Sequence, residues 1–248
     1  MQSVFVAYFD ILGFKQIVEN LSGEELLSVL NQFTLMSQKS ISEGKVRQRE
    51  DRCFVYDIRR ANIRCLHISD SVIFWSKSNT KEDFVDMAKI CQDFLLSTLH
   101  TSIPVRGCMT YGELFYKSGE VNNSYYSYLL LGKGLVSAYI GAESLEFVGC
   151  VIDNSIKDVV SVENLEMADE LFYQIADIPH KPDVDLNSEL IIKIKPVMNE
   201  GSFENMKECL KNSFVFHQKI AFDRLSDSIK RKYDNTLELW RKIYKIGK

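Results

Sequence analysis

The chain has 248 residues, of which 46% are hydrophobic and 26% charged, the balance of a soluble globule long enough to bury a sizeable core. Its formal net charge of -4 leaves no basic excess to neutralise phosphates, so general nucleic-acid affinity is not expected. No apolar run reaches the roughly 18 residues of a membrane span, and Asp10 interrupts the apolar N-terminus, so no membrane helix and no secretory signal are expected.

The first element is a strand. Val4-Phe5-Val6-Ala7-Tyr8-Phe9 is apolar, β-branched and aromatic, and it runs to Asp10 before Gly13 breaks it. Phe14, Ile17, Val18 and Leu21 then recur at helical spacing. Ser22-Gly23-Glu24-Glu25 is a break with a capping signal, and a second helix carries Leu26 to Ser37 and ends near Gly44. Lys45 to Arg52 is charged and reads as a surface loop, with Cys53 to Ile58 as an additional strand.

Ile63 to Ile68 and Val72 to Trp75 flank the short polar turn Ser69-Asp70-Ser71 and predict a hairpin. Lys81 to His100 has one apolar face and predicts a helix. Val105 to Glu113 follows Pro104 as a strand. Its Gly107 and Gly112 weaken it, which points to close approach by another group. Tyr125 to Leu131 is a further strand, Gly132-Lys133-Gly134 opens a helix through Ala142, and Phe147 to Ile152 is a strand. Beyond a loop at Pro179 to Asn187 come a strand from Leu190 to Ile194 and two or three helices.

The core order is βαββαβ, which predicts an α+β, ferredoxin-like sheet with helices on one face and a C-terminal helical extension. Residues 1–160 are expected to form the main domain, and 161–248 a strand and helices packed on it. The six cysteines include no C-x-x-C pair and read as small buried hydrophobes in a reducing cytoplasm.

The chemistry centres on two acids. In this topology the end of the first strand and the hairpin turn fall at one sheet edge, which sets Asp10 beside Asp70. Two adjacent carboxylates repel, and a divalent cation relieves that repulsion. A pair of Mg²⁺ or Mn²⁺ ions held so polarises a triphosphate and lowers the pKa of an attacking hydroxyl. The blander reading is a capping Asp10 and an ordinary turn Asp70.

Phe9-Asp10-Ile11-Leu12-Gly13-Phe14 resembles the F-D-I-x-G-F motif of class III nucleotidyl cyclases, and Ser69-Asp70-Ser71 resembles their second, G-D hairpin. Arg106 to Gly112 is similar to their R-x-G-x-x-x-G strand, and Gly132 to Ala138 to their G-D-x-V-N-x-A segment. The resemblance covers about Val4 to Asp153. It implies a head-to-tail homodimer with sites at the interface, in which a ribose 3′-hydroxyl attacks the α-phosphate and pyrophosphate leaves. It also implies that Asp10 and Asp70 bind two metal ions, that the Ile11 carbonyl completes a site, and that the N–H groups of Leu12, Gly13 and Phe14 hold the β- and γ-phosphates.

The sequence departs from the purine enzymes. Leu66 stands where they carry a base-reading Lys, and Val136 and Ile140 stand at about the positions of their transition-state Asn and Arg. The pattern more closely resembles the pyrimidine cyclases of bacterial Pycsar antiphage systems. That implies a cytoplasmic enzyme converting UTP to cyclic UMP, or CTP to cyclic CMP, as a messenger for a separate effector. Arg64 shares a strand face with Leu66 and suits a uracil carbonyl, and Tyr56 is placed to stack on a base. Arg106 or Lys133 is the candidate to stabilise charge on the pentavalent phosphorus. Competing readings are an adenylate or guanylate cyclase and a silent cyclase-like dimerisation or sensing module. A diguanylate cyclase would show a G-G-[DE]-E-F hairpin, which Ser69-Asp70-Ser71 is not.

Overall fold

The first strand, β1 (Gln2–Ile11), runs through the middle of the sheet, and residues on both of its faces are buried. The structure is a computed structural model that describes residues 1–118, 128–195 and 197–246. After β1 come α1 (Phe14–Asn20), α2 (Gly23–Ile41), β2 (Val46–Gln48), β3 (Phe54–Tyr56), β4 (Arg64–Ile68), β5 (Ser71–Trp75) and α3 (Lys81–His100). Then follow β6 (Val105–Ser118), β7 (Tyr128–Leu131), α4 (Lys133–Ser144), β8 (Gly149–Asp153), α5 (Ala168–Leu171), β9 (Phe172–Gln174), β10 (Ser188–Ile192), α6 (Glu200–Val215) and α7 (Asp227–Tyr244).

The main sheet has the order β4-β5-β1-β6-β8-β10-β9, with β7 paired to the far part of β6. Its first four strands are antiparallel and form the expected ferredoxin-like arrangement; β8 then joins β6 in parallel. The segment after residue 160 supplies β9 and β10 to this same sheet, and β9 was not foreseen. Its apolar residues, including Phe203, Leu210, Phe214 and Trp240, belong to the same buried cluster as Phe5, Phe9 and Phe94.

Alternation along β1 divides the core. Phe5, Ala7, Phe9 and Ile11 face α2 and α3, where Phe9 and Phe33 both pack on Phe94, at 5.1 and 5.4 Å between ring centroids. Val4 and Val6 face the opposite side with Ile73, Trp75 and Ala138. Helices therefore cover both faces, not one: α4 lies across β1 and β6 on the second face. Gly112 explains its closeness, while Gly107 makes room for Phe9 on the first face. A Cβ on Gly112 would come within 2.9 Å of the Gly134 backbone at the start of α4, and one on Gly107 within 2.4 Å of the Phe9 ring.

Two local expectations change. The charged stretch after Lys45 is not a plain loop: β2 pairs with β3 in a small separate hairpin. Paired backbone satisfies its polar groups while Val46 and Phe54 stay exposed. Cys53, in that hairpin, is exposed, whereas Cys91, Cys108 and Cys150 are buried as expected. Of the strand expected over 125–131, residues 125–127 lie outside the described residues. No helix among the described residues is long and apolar enough to cross a membrane.

Candidate active site

The β1–β5 register pairs Asp10 with Ser71, so the tip of β1 meets the Ser69–Asp70 turn. The Ile11 N–H donates to the Asp70 carbonyl at 3.2 Å, which fixes the two acid-bearing segments side by side. Ser69 sits at φ 54°, the left-handed conformation that closes so short a turn. Asp10 is buried at 8% exposure, and Asp70 is half-buried.

Asp10 has a partner that the sequence did not announce. It is the register partner of Arg106 on β6, and Arg106 donates to Asp10 Oδ2 from Nη2 at 3.0 Å and from Nε at 3.3 Å. The same guanidinium donates to the Glu143 carbonyl at 2.8 Å and to the Glu143 carboxylate at the end of α4. Lys181 lies 3.6 Å from the other side of Glu143. Burial pushes the Asp10 carboxyl up to about 7; Arg106 opposes the rise, while Asp70 and Glu143 add to it.

This is a site that favours added positive charge. Two carboxylates and a neighbouring backbone carbonyl are hard oxygen donors of the kind Mg²⁺ or Mn²⁺ takes, with the remaining positions left to water and phosphate oxygens. No group of three or more His, Cys, Asp or Glu side chains among the described residues is arranged to hold a metal ion, so a metal here rests on two side chains.

The turn after Asp10 is partly committed. The Leu12 N–H donates to the Pro104 carbonyl at 2.8 Å, which removes it from the three amides expected to hold phosphates. Gly13 adopts φ 76° and leads directly into α1. A strap from the far end of the chain covers this turn. The Gln218 side-chain nitrogen lies 2.9 Å from where a Gly13 Cβ would stand. On either side of it, His217 contacts the Thr101 carbonyl at 3.3 Å and Lys219 donates to both Glu25 carboxylate oxygens at 2.7 and 2.8 Å.

Arg64 and Leu66 do share a face, and both line a cavity of about 340 Å³ with Trp75, Tyr116 and Leu130. Arg64 stacks over the Tyr116 ring at 4.4 Å. Tyr56 does not line this cavity; it stands in β3 opposite Val46. Arg106 and Lys133 are not brought together. Lys133 lies against the Gly112 end of β6, six residues or about 20 Å along the strand from Arg106. Lys133 instead heads an exposed stripe on α4 that continues through Val136 and Ile140.

Sequence reasoning missed Trp75, Tyr116, Glu143 and Gln218. Trp75 was within reach, because the hairpin turn fixes it opposite Arg64. Nothing local marks Glu143 or Gln218.

Comparison with family models and with curated proteins finds no match. Solved structures do match in fold. A bacterial light-regulated adenylyl cyclase superposes with a TM-score of 0.55 at 13% identity, over 88% of this chain and 57% of that one. The guanylate cyclase domain of RhGC from Catenaria anguillulae, solved with GTP, gives 0.53 at 12% identity, covering 78% of this chain and 97% of that one. A non-canonical dimeric guanylyl cyclase domain from Blastocladiella emersonii gives 0.53 at 13%, covering 79% and 96%. The fold is that of class III cyclase catalytic domains.

Proposed function

We propose that this protein is a nucleotidyl cyclase that converts UTP to 3′,5′-cyclic UMP and pyrophosphate, with CTP as the lesser substrate. The observation that carries the reading is the joining of Asp10 and Asp70 at one sheet end, through the Ile11–Asp70 hydrogen bond, in a cyclase fold.

In this reading Asp10, Asp70 and the Ile11 carbonyl hold two Mg²⁺ or Mn²⁺ ions, which supply charge neutralisation of the triphosphate and acidify the 3′-hydroxyl. The N–H groups of Gly13 and Phe14 bind phosphate oxygens. The 3′-oxygen forms a bond to the α-phosphorus, the α–β bridging bond breaks, the electron pair leaves with pyrophosphate, and the hydroxyl proton goes to solvent. Arg106 acts by balancing the buried Asp10 charge and the half-buried Glu143 charge. Lys133 remains the candidate to meet charge on the phosphorus, from the partner chain.

A head-to-tail homodimer is part of the proposal. Asp10 and the Arg64 cavity lie on one face of the sheet, with Asp10 four residues along β1 from Val6, the register partner of Trp75. Two chains set face to face in opposite directions join the acids of one to the cavity of the other. Tyr139 and the exposed Val136 and Ile140 on α4 supply apolar surface for that contact. Two structural neighbours, one a dimeric guanylyl cyclase domain and one in complex with GTP, support a dimer that takes a nucleotide. Residues 1–160 as the catalytic unit, a cytoplasmic setting and a product read by a separate antiphage effector belong to the same proposal.

The Arg106–Asp10 ion pair favours one second reading, a module that binds nucleotide without turning it over. Incubation with each of the four NTPs and Mn²⁺, with products identified by mass, separates the two. Cyclic UMP supports the cyclase; no product from any NTP supports the silent module.

A further inference from the structure

The indole N–H of Trp75 is buried and has no hydrogen-bond acceptor among the described residues, and Trp75 lines the cavity beside Arg64. Buried polar groups are nearly always paired, so an orphan next to a cavity points to an acceptor that arrives from outside the chain. The residue is 7% exposed and is held by its neighbours: it pairs with Arg64 across the β4–β5 hairpin and its ring lies 5.6 Å from Tyr116.

The cavity walls define that group. Its volume of about 340 Å³ lies in the range of small-molecule sites, and its walls are mostly apolar or aromatic: Ile41, Ile63, Leu66, Trp75 and Tyr116 among them. Among the described residues, no carboxylate or side-chain amide lines it. The Trp75 indole and the Arg64 guanidinium are both groups that only donate, and neither has an acceptor among the described residues. A flat ring with two acceptors and no exocyclic amine satisfies both. Uracil has two carbonyls. Cytosine has one and an amine that finds no carboxylate or side-chain amide among the described lining residues, and adenine and guanine both bring an amine.

We infer that Trp75 is a specificity-determining residue of a uracil subsite, its indole N–H donating to the O4 carbonyl that cytosine lacks while Arg64 donates to the O2 carbonyl. This rests on the nucleotidyl cyclase reading, which it deepens by naming the residue that selects the base.

The chain has two tryptophans, Trp75 and the fully buried Trp240, so its indole N–H spectrum holds two signals that a Trp75→Phe variant assigns. The probes are the α,β-methylene analogues of UTP, CTP, ATP and GTP with Mg²⁺, which cannot lose pyrophosphate. The UTP analogue is expected to move the Trp75 signal at saturation, the CTP analogue to require higher concentration, and the purine analogues to leave it in place. Trp75→Phe is expected to lower the kcat/KM ratio of UTP over CTP about fivefold to tenfold, the range for one lost hydrogen bond. A UTP analogue that binds without moving the signal, or an unchanged ratio in a folded Trp75→Phe enzyme, overturns the inference. Should the variant fail to fold, the wild-type spectrum still decides. If the wild type cyclises nothing yet the UTP analogue moves the signal, the cyclase reading falls and the subsite stands; cyclic UMP formation with a static signal gives the reverse.

Discussion

Arg106 and Asp10 face each other across the β6–β1 ladder, and the guanidinium lies 3.0 Å from the carboxylate in a nearly dry setting. Removing one member of such a pair leaves the other charge buried and unpaired. Arg106→Met is expected to cost about 3 kcal/mol of stability by urea denaturation. Adding Asp10→Asn to it should return part of that loss, because the uncompensated carboxylate goes with it. Additive losses in the double variant would mean that the pair carries no coupling.

Gly13 meets two constraints at once, a φ of 76° and the Gln218 amide 2.9 Å from its absent Cβ. Gly13→Ala should therefore cost about 1–2 kcal/mol from backbone conformation plus the displacement of Gln218. Combining it with Gln218→Ala relieves the contact and leaves the conformational part. Equal melting temperatures for the single and double variants would show that Gln218 does not press on the turn.

The strap also has a titrating end. A hydrogen bond from Lys219, aided by Ser22, holds the Glu25 carboxyl down to about 2. A folded pKa below the unfolded one stabilises above the ordinary carboxylate range, and the contribution fades as pH falls toward 2. Lys219→Ala should move the Glu25 midpoint, followed by carboxyl NMR, back toward 4.5. A midpoint that stays put would assign the shift to the Ser22 cap alone.

What was legible in the sequence is what local pattern encodes. The apolar run of β1, the Ser22–Glu25 cap and the β4–β5 turn marked the elements, and their βαββαβ order set Asp10 beside Asp70; within the hairpin itself the register follows from its turn. The Arg106–Glu143 link and the strap over Gly13 join residues far apart in the chain, and no periodicity reports such pairings. The Leu12 amide was misjudged for a related reason: its acceptor, Pro104, belongs to the start of another strand. The second-face position of α4 depends on Gly112 and Gly134, whose spacing reads as strand weakness until the helix is seen.

Composite sites predict complementation. Asp10→Asn disables the acid half and Arg64→Ala the base half. In a symmetric two-chain enzyme, mixing the two variants makes about half the dimers mixed, each with one intact site, so about a quarter of wild-type activity should return. No recovery after denaturation and joint refolding, with dimers verified by light scattering, would place a whole site within one chain.

The two acids bear most directly on the chemistry. Asp10→Asn and Asp70→Asn each remove one carboxylate charge while keeping the shape of the side chain, so both variants should fold and neither should release measurable cyclic nucleotide from UTP and Mn²⁺ by mass spectrometry. Wild-type protein should release cyclic UMP over cyclic CMP, and far more of either than cyclic AMP or cyclic GMP. Either variant turning over near the wild-type rate, or a wild type that cyclises only purine triphosphates, contradicts a pyrimidine cyclase built on Asp10 and Asp70.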